Sequence, residues 1–333
     1  MKKTIRKIIK KIQKTFSNKK KISHIYFLIR AGRNYSQVQK QTFNIIQNKM
    51  PKGSYTTIKE VDFIKKKKKT IKNGLSFDMF IRASGDVLMS HGVADKNYLT
   101  MRDENGECYI NRRKHVLVPG PWLKNKLLNH PKITLNENQI HCVGWPRLDE
   151  LIDLQNKYKS NQKPTEKVKV LWAPTHDRRK RGKEGLSTSS YPEFDQWTEL
   201  LEDKFDYTKS LHPRNKVLDK KPTVDALIEA DYVISDFGTI VYEAWALGKP
   251  VIFPNWLIGQ RIKKNLKGSA EAYIFENKIG LHANSIQEVV DFIELKKEIG
   301  DDVKQFMESY LPEDLNGQSA NTINELFLKG CVE

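Results

Sequence analysis

Two histidines, a cluster of small polar residues and one carboxylate stand at spacings suited to a phosphorylated, nucleotide-bearing molecule. His91 ends the run Val87-Leu88-Met89-Ser90-His91-Gly92, where a short apolar stretch gives way to histidine and glycine. Imidazole titrates near neutrality, so a histidine at a strand end can take a proton from a hydroxyl. His212-Pro213-Arg214 follows another such run, Phe205 to Leu211, and adds a guanidinium suited to phosphate. Thr175 closes a third, Val168 to Trp172 with Ala173-Pro174.

The densest stretch is Ala230 to Pro254. Tyr232 to Ser235 reads as a buried strand, and Asp236-Phe237-Gly238-Thr239 as a turn and helix start. The helix then runs through Ile240, Glu243 and Leu247 to Gly248, before a further strand from Val251 to Phe253. Such a strand-helix-strand unit belongs to a parallel sheet. Free backbone N–H groups at Gly238 and Thr239 suit a phosphate or diphosphate. Glu243, one turn on, is placed to take two ribose hydroxyls. The plainer reading makes Asp236 and Thr239 caps of a structural helix, with Glu243 solvated and each histidine a structural hydrogen-bonder.

These residues need a scaffold, and the chain is long enough to supply one. Its 333 residues allow two core-bearing domains, and 38% hydrophobic with 10% aromatic residues fits a folded protein. The net charge of +18 implies a polyanionic partner: an anionic membrane face, a phosphate-rich substrate or nucleic acid. Cys108, Cys142 and Cys331 are odd in number and widely spaced, which indicates neither a disulfide framework nor a zinc site and fits a reducing cytoplasm. No run reaches the roughly 18 apolar residues that span a bilayer, and no signal peptide is expected.

The charge is front-loaded, since no acidic residue precedes Glu60. Within residues 1–21, Ile5, Ile8, Ile9, Ile12 and Phe16 form one apolar stripe flanked by lysines, the pattern of a basic amphipathic helix on an anionic membrane. A disordered tail, or a helix docked on its own domain, would read similarly. Lys65 to Lys69 is a second basic cluster, a solvated face or a hold for an acidic polymer.

Strands are expected at Ile25 to Ile29, Phe77 to Ile81, Val87 to Met89, Val116 to Pro119 and Ile140 to Val143, with helices at Gln37 to Ile46, Trp122 to Leu128 and Leu148 to Tyr158. Polar residues 159–166 mark a linker. A second α/β half follows, with a last strand expected within Ile274 to Leu281 and helices at Ile286 to Leu295, Val303 to Tyr310 and Ala320 to Leu328. The expected fold is α/β: two Rossmann-like domains, 22–160 and 161–333, facing a cleft behind the basic helix 1–21. His91, Thr175, His212 and Asp236 all fall at carboxyl ends of strands, where open α/β sheets bind ligands.

Several motifs resemble the CDP-glycerol glycerophosphotransferase family, which primes and polymerises teichoic-acid and related capsule backbones. Ser90-His91-Gly92 is similar to the family's His-Gly motif, and Gly144-Trp145-Pro146-Arg147-Leu148-Asp149 to its Gly-Tyr-Pro-Arg-Asn-Asp signature. Leu171-Trp172-Ala173-Pro174-Thr175, His212-Pro213-Arg214 and Ser235-Asp236-Phe237-Gly238-Thr239 resemble its second-domain donor motifs, and Asn316 to Ala320 the start of its C-terminal helix. The chain departs at Gly238-Thr239, where the family has Ser-Ser, at Glu243 in place of an aspartate, and at Val93-Ala94-Asp95-Lys96 in place of Pro-Leu-Lys.

The resemblance implies a two-domain GT-B fold with an acceptor-side first domain and a donor-binding second domain. It implies transfer of glycerol phosphate, or a related phospho-alditol, from a CDP-linked donor to a hydroxyl of a lipid-linked polymer. His91 would be the base, and His212 and Arg214 would stabilise the diphosphate. Thr175, Ser235, Asp236, Gly238, Thr239 and Glu243 would bind the donor, with Arg147 a further phosphate contact or a domain-packing residue. No carboxylate cluster demands a metal, and no cofactor is expected. The enzyme would work in the cytoplasm, peripheral on the inner membrane face. One alternative is a GT-B glycosyltransferase using a CMP- or UDP-linked sugar. Another, a non-catalytic polyanion binder, rests on charge alone, since the chain has no recognisable nucleic-acid module.

Overall fold

The computed structural model describes residues 24–30, 33–67, 74–161, 167–176, 188–212 and 223–328. The basic segment 1–21 and Arg214 lie outside the described residues. The first sheet comprises β1 (His24–Ile29), β2 (Tyr55–Lys59), β3 (Gly74–Asp78), β4 (Val87–Met89), β5 (His115–Val118) and β6 (Ile140–Cys142), parallel throughout in the order β2-β1-β3-β4-β5-β6. The second comprises β7 (Lys169–Trp172), β8 (Asp206–Lys209), β9 (Tyr232–Ile234), β10 (Val251–Pro254) and β11 (Leu281–Ala283), parallel in the order β11-β10-β9-β7-β8.

Helices α1 (Arg33–Gln47), α2 (Glu60–Lys67), α3 (Pro121–Leu128) and α4 (Pro146–Asn161) accompany the first sheet. With the second come α5 (Thr198–Lys204), α6 (Thr223–Glu229), α7 (Thr239–Ala246), α8 (Asn255–Asn265), α9 (Ala270–Glu276), α10 (Ile286–Glu294) and α11 (Asp301–Tyr310), and α12 (Ser319–Leu328) follows. The central strands are apolar on both faces because helices cover both: Val87, Leu88 and Met89 are all buried, as are Tyr232, Val233 and Ile234. No described helix is long and apolar enough to cross a membrane.

The largest hydrophobic cluster is shared by the two domains, running from Phe27 and Phe77 through Trp145 to Val233, Tyr242 and Phe306. Two elements carry it across. α4 packs against α6, and Gln155 donates its side-chain N–H to the carbonyl of Leu247 at 3.0 Å. α12 returns to the first domain and packs on α1 and α4. Its first N–H groups, on Ser319 and Ala320, donate to the Asp149 carboxylate at 3.1 and 2.8 Å, and Phe327 meets Phe77 edge-on. The stretch 161–333, expected as one unit, thus ends on the first domain.

Three local expectations differ from the fold. The strand expected at Phe77 to Ile81 ends at Asp78, because that carboxylate accepts the N–H groups of Phe80 and Gly85 and closes a turn. Met79, Phe80 and Ile81 are buried off the strand and mimic its continuation. Residues from Ile274 do not open a strand: they continue α9, capped by Ser269, and the strand comes later at Leu281–Ala283. Ala270, Glu271, Ala272, Ile274 and Phe275 are buried and only Tyr273 and Glu276 of the seven residues face outward, too short a pattern to show its period in the sequence. β2 and α2 lie outside the expected elements: β2 has only Tyr55 and Ile58 half-buried, and α2 buries Phe63 while leaving Val61 and Ile64 exposed, so neither shows a clear apolar period.

Candidate active site at the domain interface

The second sheet reverses its order of addition between β7 and β9, and such a switch point leaves a crevice at the strand carboxyl ends. Thr175 follows β7 and Asp236 follows β9, and the N–H of Thr175 donates to Asp236 Oδ2 at 2.8 Å across that point. Ser235 donates its hydroxyl to the carbonyl of Ala173, a second tie between the same loops. Asp236 is fully buried, and burial pushes its carboxyl up to about 7 against the hydrogen bonds of Ser190, Thr175 and Ser189. Oδ1 makes no hydrogen bond of normal geometry, although Ser189 and Ser190 lie close enough to favour its ionised form.

α7 begins directly behind this turn. Gly238 is its N-cap at φ 107°, a left-handed conformation natural to glycine, and no side chain caps the helix. Among the described residues no side chain bonds the N–H groups of the first turn, so neither Asp236 nor Thr239 serves as a cap of this helix. Glu243 is not solvated either. Its carboxylate is 2% exposed, accepts the indole N–H of Trp145 at 2.9 Å and lies 3.5 Å from Nε of Arg147. Trp145 and Arg147, from the loop and helix after β6, thus join the domains through Glu243. Burial raises the Glu243 carboxyl while Arg147 and Trp145 hold it down.

From the opposite side the β4 loop reaches the same turn. Gly92 lies so close to α7 that a Cβ on it would stand 2.7 Å from Thr239 Oγ1, so a larger residue there would require the Thr239 hydroxyl to turn aside. His91 stacks on Phe80 and meets the edge of Tyr98. Burial, helped by the charge of Lys96, lowers its imidazole to about 4, so it is neutral and can accept a proton at pH 7. Nζ of Lys96 sits 4.9 Å from the centre of the Phe237 ring and 3.3 Å from the place a Cβ on Gly238 would take. A first-domain cation thereby faces the second-domain helix start.

His212, after β8, pairs with His176, after Thr175, their ring centres 4.7 Å apart. The predicted residues therefore form one chain of neighbours: His212 beside His176, Thr175 bonded to Asp236, Gly238 and Thr239 next, then Gly92 and His91 across the interface. A groove of about 820 Å³ opens elsewhere, between Trp245, Met307, Leu311 and Asp231, but it lies at the amino ends of the second sheet, away from these groups.

Two parallel-sheet α/β domains meeting at strand carboxyl ends define the GT-B class of fold. The solved wall teichoic acid polymerase TagF has this fold, with a TM-score of 0.63 and 14% identity over 99% of this chain and 98% of that one. A histidine-to-asparagine variant of TagF soaked with CDPG gives 0.61, again at 14% identity, over 99% and 97%. UDP-GlcNAc 2-epimerase from Methanocaldococcus jannaschii, in complex with UDP-GlcNAc and UDP, gives 0.52 at 15% identity over 92% and 100%. No protein-family model matches the sequence, and neither does any curated protein sequence.

Three participants escaped the sequence reading. Lys96 and Asp95 stand in the tetrapeptide that departs from the family pattern, and an acid-base pair directly after a His-Gly turn was the available signal. Glu271 carried none, because its partners lie 175 and 176 positions away.

Proposed function

We propose that this protein transfers glycerol phosphate, or a related phospho-alditol, from a CDP-linked donor to a hydroxyl of a membrane-associated teichoic-acid-like or capsule polymer. The observation that carries this reading is the uncapped start of α7 beside the Thr175–Asp236 bond, approached from the other domain by His91, Gly92 and Lys96. A diphosphate on the N–H groups of Gly238 and Thr239 would lie within reach of both domains.

In the reaction the acceptor oxygen attacks the phosphorus that bears the alditol, and the bond from that phosphorus to the bridging oxygen breaks. CMP leaves with the electron pair, and His91 takes the acceptor proton. A neutral imidazole lowered by burial is a weak base, but an adjacent diphosphate raises its affinity for a proton as the donor binds. His212, Arg214 and the helix start would stabilise charge on the departing phosphate, while Thr175, Ser235 and Asp236 hold the turn. Glu243, covered here by Trp145, would contact the ribose once the joint between the domains opens, and Arg147 would serve the diphosphate or the domain joint.

The competing reading is a GT-B glycosyltransferase using a CMP- or UDP-linked sugar, favoured by a carboxylate one turn into the donor helix. Residues 1–21 would hold the enzyme on an anionic membrane. Calorimetric titration with CDP-glycerol, CDP-ribitol and CMP- and UDP-linked sugars, with Asp236→Ala as control, separates the two enzymes. Selective, Asp236-dependent binding of a CDP-alditol supports the phosphotransferase, and selective binding of a nucleotide sugar the glycosyltransferase.

A further inference from the structure

The loop that follows His91 is fastened to the second domain by two carboxylates that cap each other's backbones. Glu271, in the first turn of α9, accepts the N–H of Asp95 at 3.0 Å and that of Lys96 at 2.7 Å. Asp95 answers by accepting the N–H of Ala270 at 2.9 Å, and its carboxylate is paired with the ammonium of Lys126. Both acids are at most 2% exposed. Tyr242 of α7 adds its hydroxyl to Glu271 at 2.8 Å, and Asn97 donates to the carbonyl of Lys267 at 3.0 Å.

What this clasp holds is unusual backbone. Lys96 and Asn97 are consecutive non-glycine residues at φ 45° and 54°, a left-handed pair that L-residues seldom adopt unless the surroundings dictate it. The left-handed turn sends the Lys96 side chain back over Phe237 and Gly238, while its own N–H is bound by Glu271. Burying a carboxylate is costly and two together more so, so an apolar contact would have joined the domains with less penalty. The carboxylates instead fix a direction, since only a pair of correctly aimed acceptors selects this turn.

We infer that Glu271 is a positioning residue: it holds the 95–97 turn in its left-handed form and thereby places the Lys96 ammonium at the start of α7 to receive the anionic part of the ligand. This rests on the donor site proposed above, with Lys96 as the group that touches the diphosphate and Glu271 acting through it. Lys96 thus stands as a phosphate contact supplied by the opposite domain.

The test is a double-mutant cycle on the full chain, using Glu271→Gln, Lys96→Met and the pair, read by calorimetric affinity for CDP-glycerol and for inorganic pyrophosphate. Glutamine keeps the shape of Glu271 but offers one acceptor where the turn needs two. Lys96 is exposed, so methionine there leaves the fold intact and keeps the cycle informative should the Glu271 variant prove unstable. Each single change is expected to weaken binding by roughly tenfold or more, the scale of one charge-assisted hydrogen bond. The pair is expected to be no weaker than Lys96→Met alone. Equal binding by wild type and both single variants overturns the inference, and so do effects that multiply in the pair, which a general loss of structure would produce. Binding of pyrophosphate but not CDP-glycerol, still dependent on Glu271 through Lys96, keeps the clasp and removes the donor reading. Binding of neither probe by the wild type removes both.

Discussion

The indole N–H of Trp145, in the first domain, donates to the carboxylate of Glu243, in the second, at 2.9 Å. Both residues are 2% exposed, so this bond is sealed within the joint between the domains. Glu243 sits on α7, whose first turn forms the candidate anion site, and the bond therefore fixes that helix relative to the loop carrying Trp145 and Arg147.

Removing the donor while keeping the ring tests that role. Trp145→Phe leaves Glu243 with Arg147 alone, and the expected cost is about 1–3 kcal/mol of stability, the penalty for depriving a buried carboxylate of one hydrogen bond. Thermal melting should fall accordingly, and Glu243→Gln in that background should recover part of the loss, because the neutral side chain is less costly to bury.

His91 should titrate far below an ordinary histidine. Burial and the Lys96 charge lower it to about 4, against 6.5 for the free side chain. Its neutral form therefore stabilises the fold above pH 6.5, and that share of stability is lost as the pH falls towards 4. NMR titration of the imidazole should find the low value in wild type and a higher one in Lys96→Met, since a nearby cation has been removed. Bound CDP-glycerol should raise it as well. An imidazole titrating near 6.5 and indifferent to Lys96 would contradict the account.

Asp78 and Arg113 form a buried pair at 2.9 Å, each side chain 1% exposed, that closes the turn after β3. Arg113→Met leaves a carboxylate inside the fold without its counter-charge, and the expected destabilisation is about 3–5 kcal/mol at neutral pH. Burial already pushes Asp78 up to about 6, and losing the cation pushes it further. The folded variant must then bind a proton that the unfolded chain releases above the usual 3.8, so the loss should grow from pH 5 to pH 8 in denaturant titrations.

Asp149 caps the helix that returns to the first domain. Asp149→Ala should cost about 1–2 kcal/mol, and the loss should be local, appearing as faster amide exchange across α12 before the rest of the fold opens. A uniform change in exchange would show that α12 is not an independently fraying element.

The placement of His91, Thr175, His212 and Asp236 at strand ends was legible because each follows a short apolar run that stops at small or polar residues. The alternation of strands and helices likewise revealed two parallel sheets. What stayed hidden depends on contacts remote in sequence. Glu243 reads as a solvent-facing helical acid until Trp145, 98 positions earlier, is seen to cover it. Asp95 and Glu271 read as surface charge for the same reason. The strand read from Phe77 begins three residues earlier, because burial of Met79, Phe80 and Ile81 does not require a strand, and α9 is hidden because its seven residues show only Tyr273 and Glu276 on the outward side.

The central claim is attack on phosphorus rather than carbon, and the by-product distinguishes them. Phosphorus-31 NMR of CDP-glycerol incubated with the full chain and a lipid-linked polyol-phosphate acceptor should show the diphosphate doublets replaced by CMP and a phosphodiester, with the change abolished by His91→Ala. Release of CDP, which keeps the diphosphate intact, or equal turnover by the His91 variant, would contradict the account.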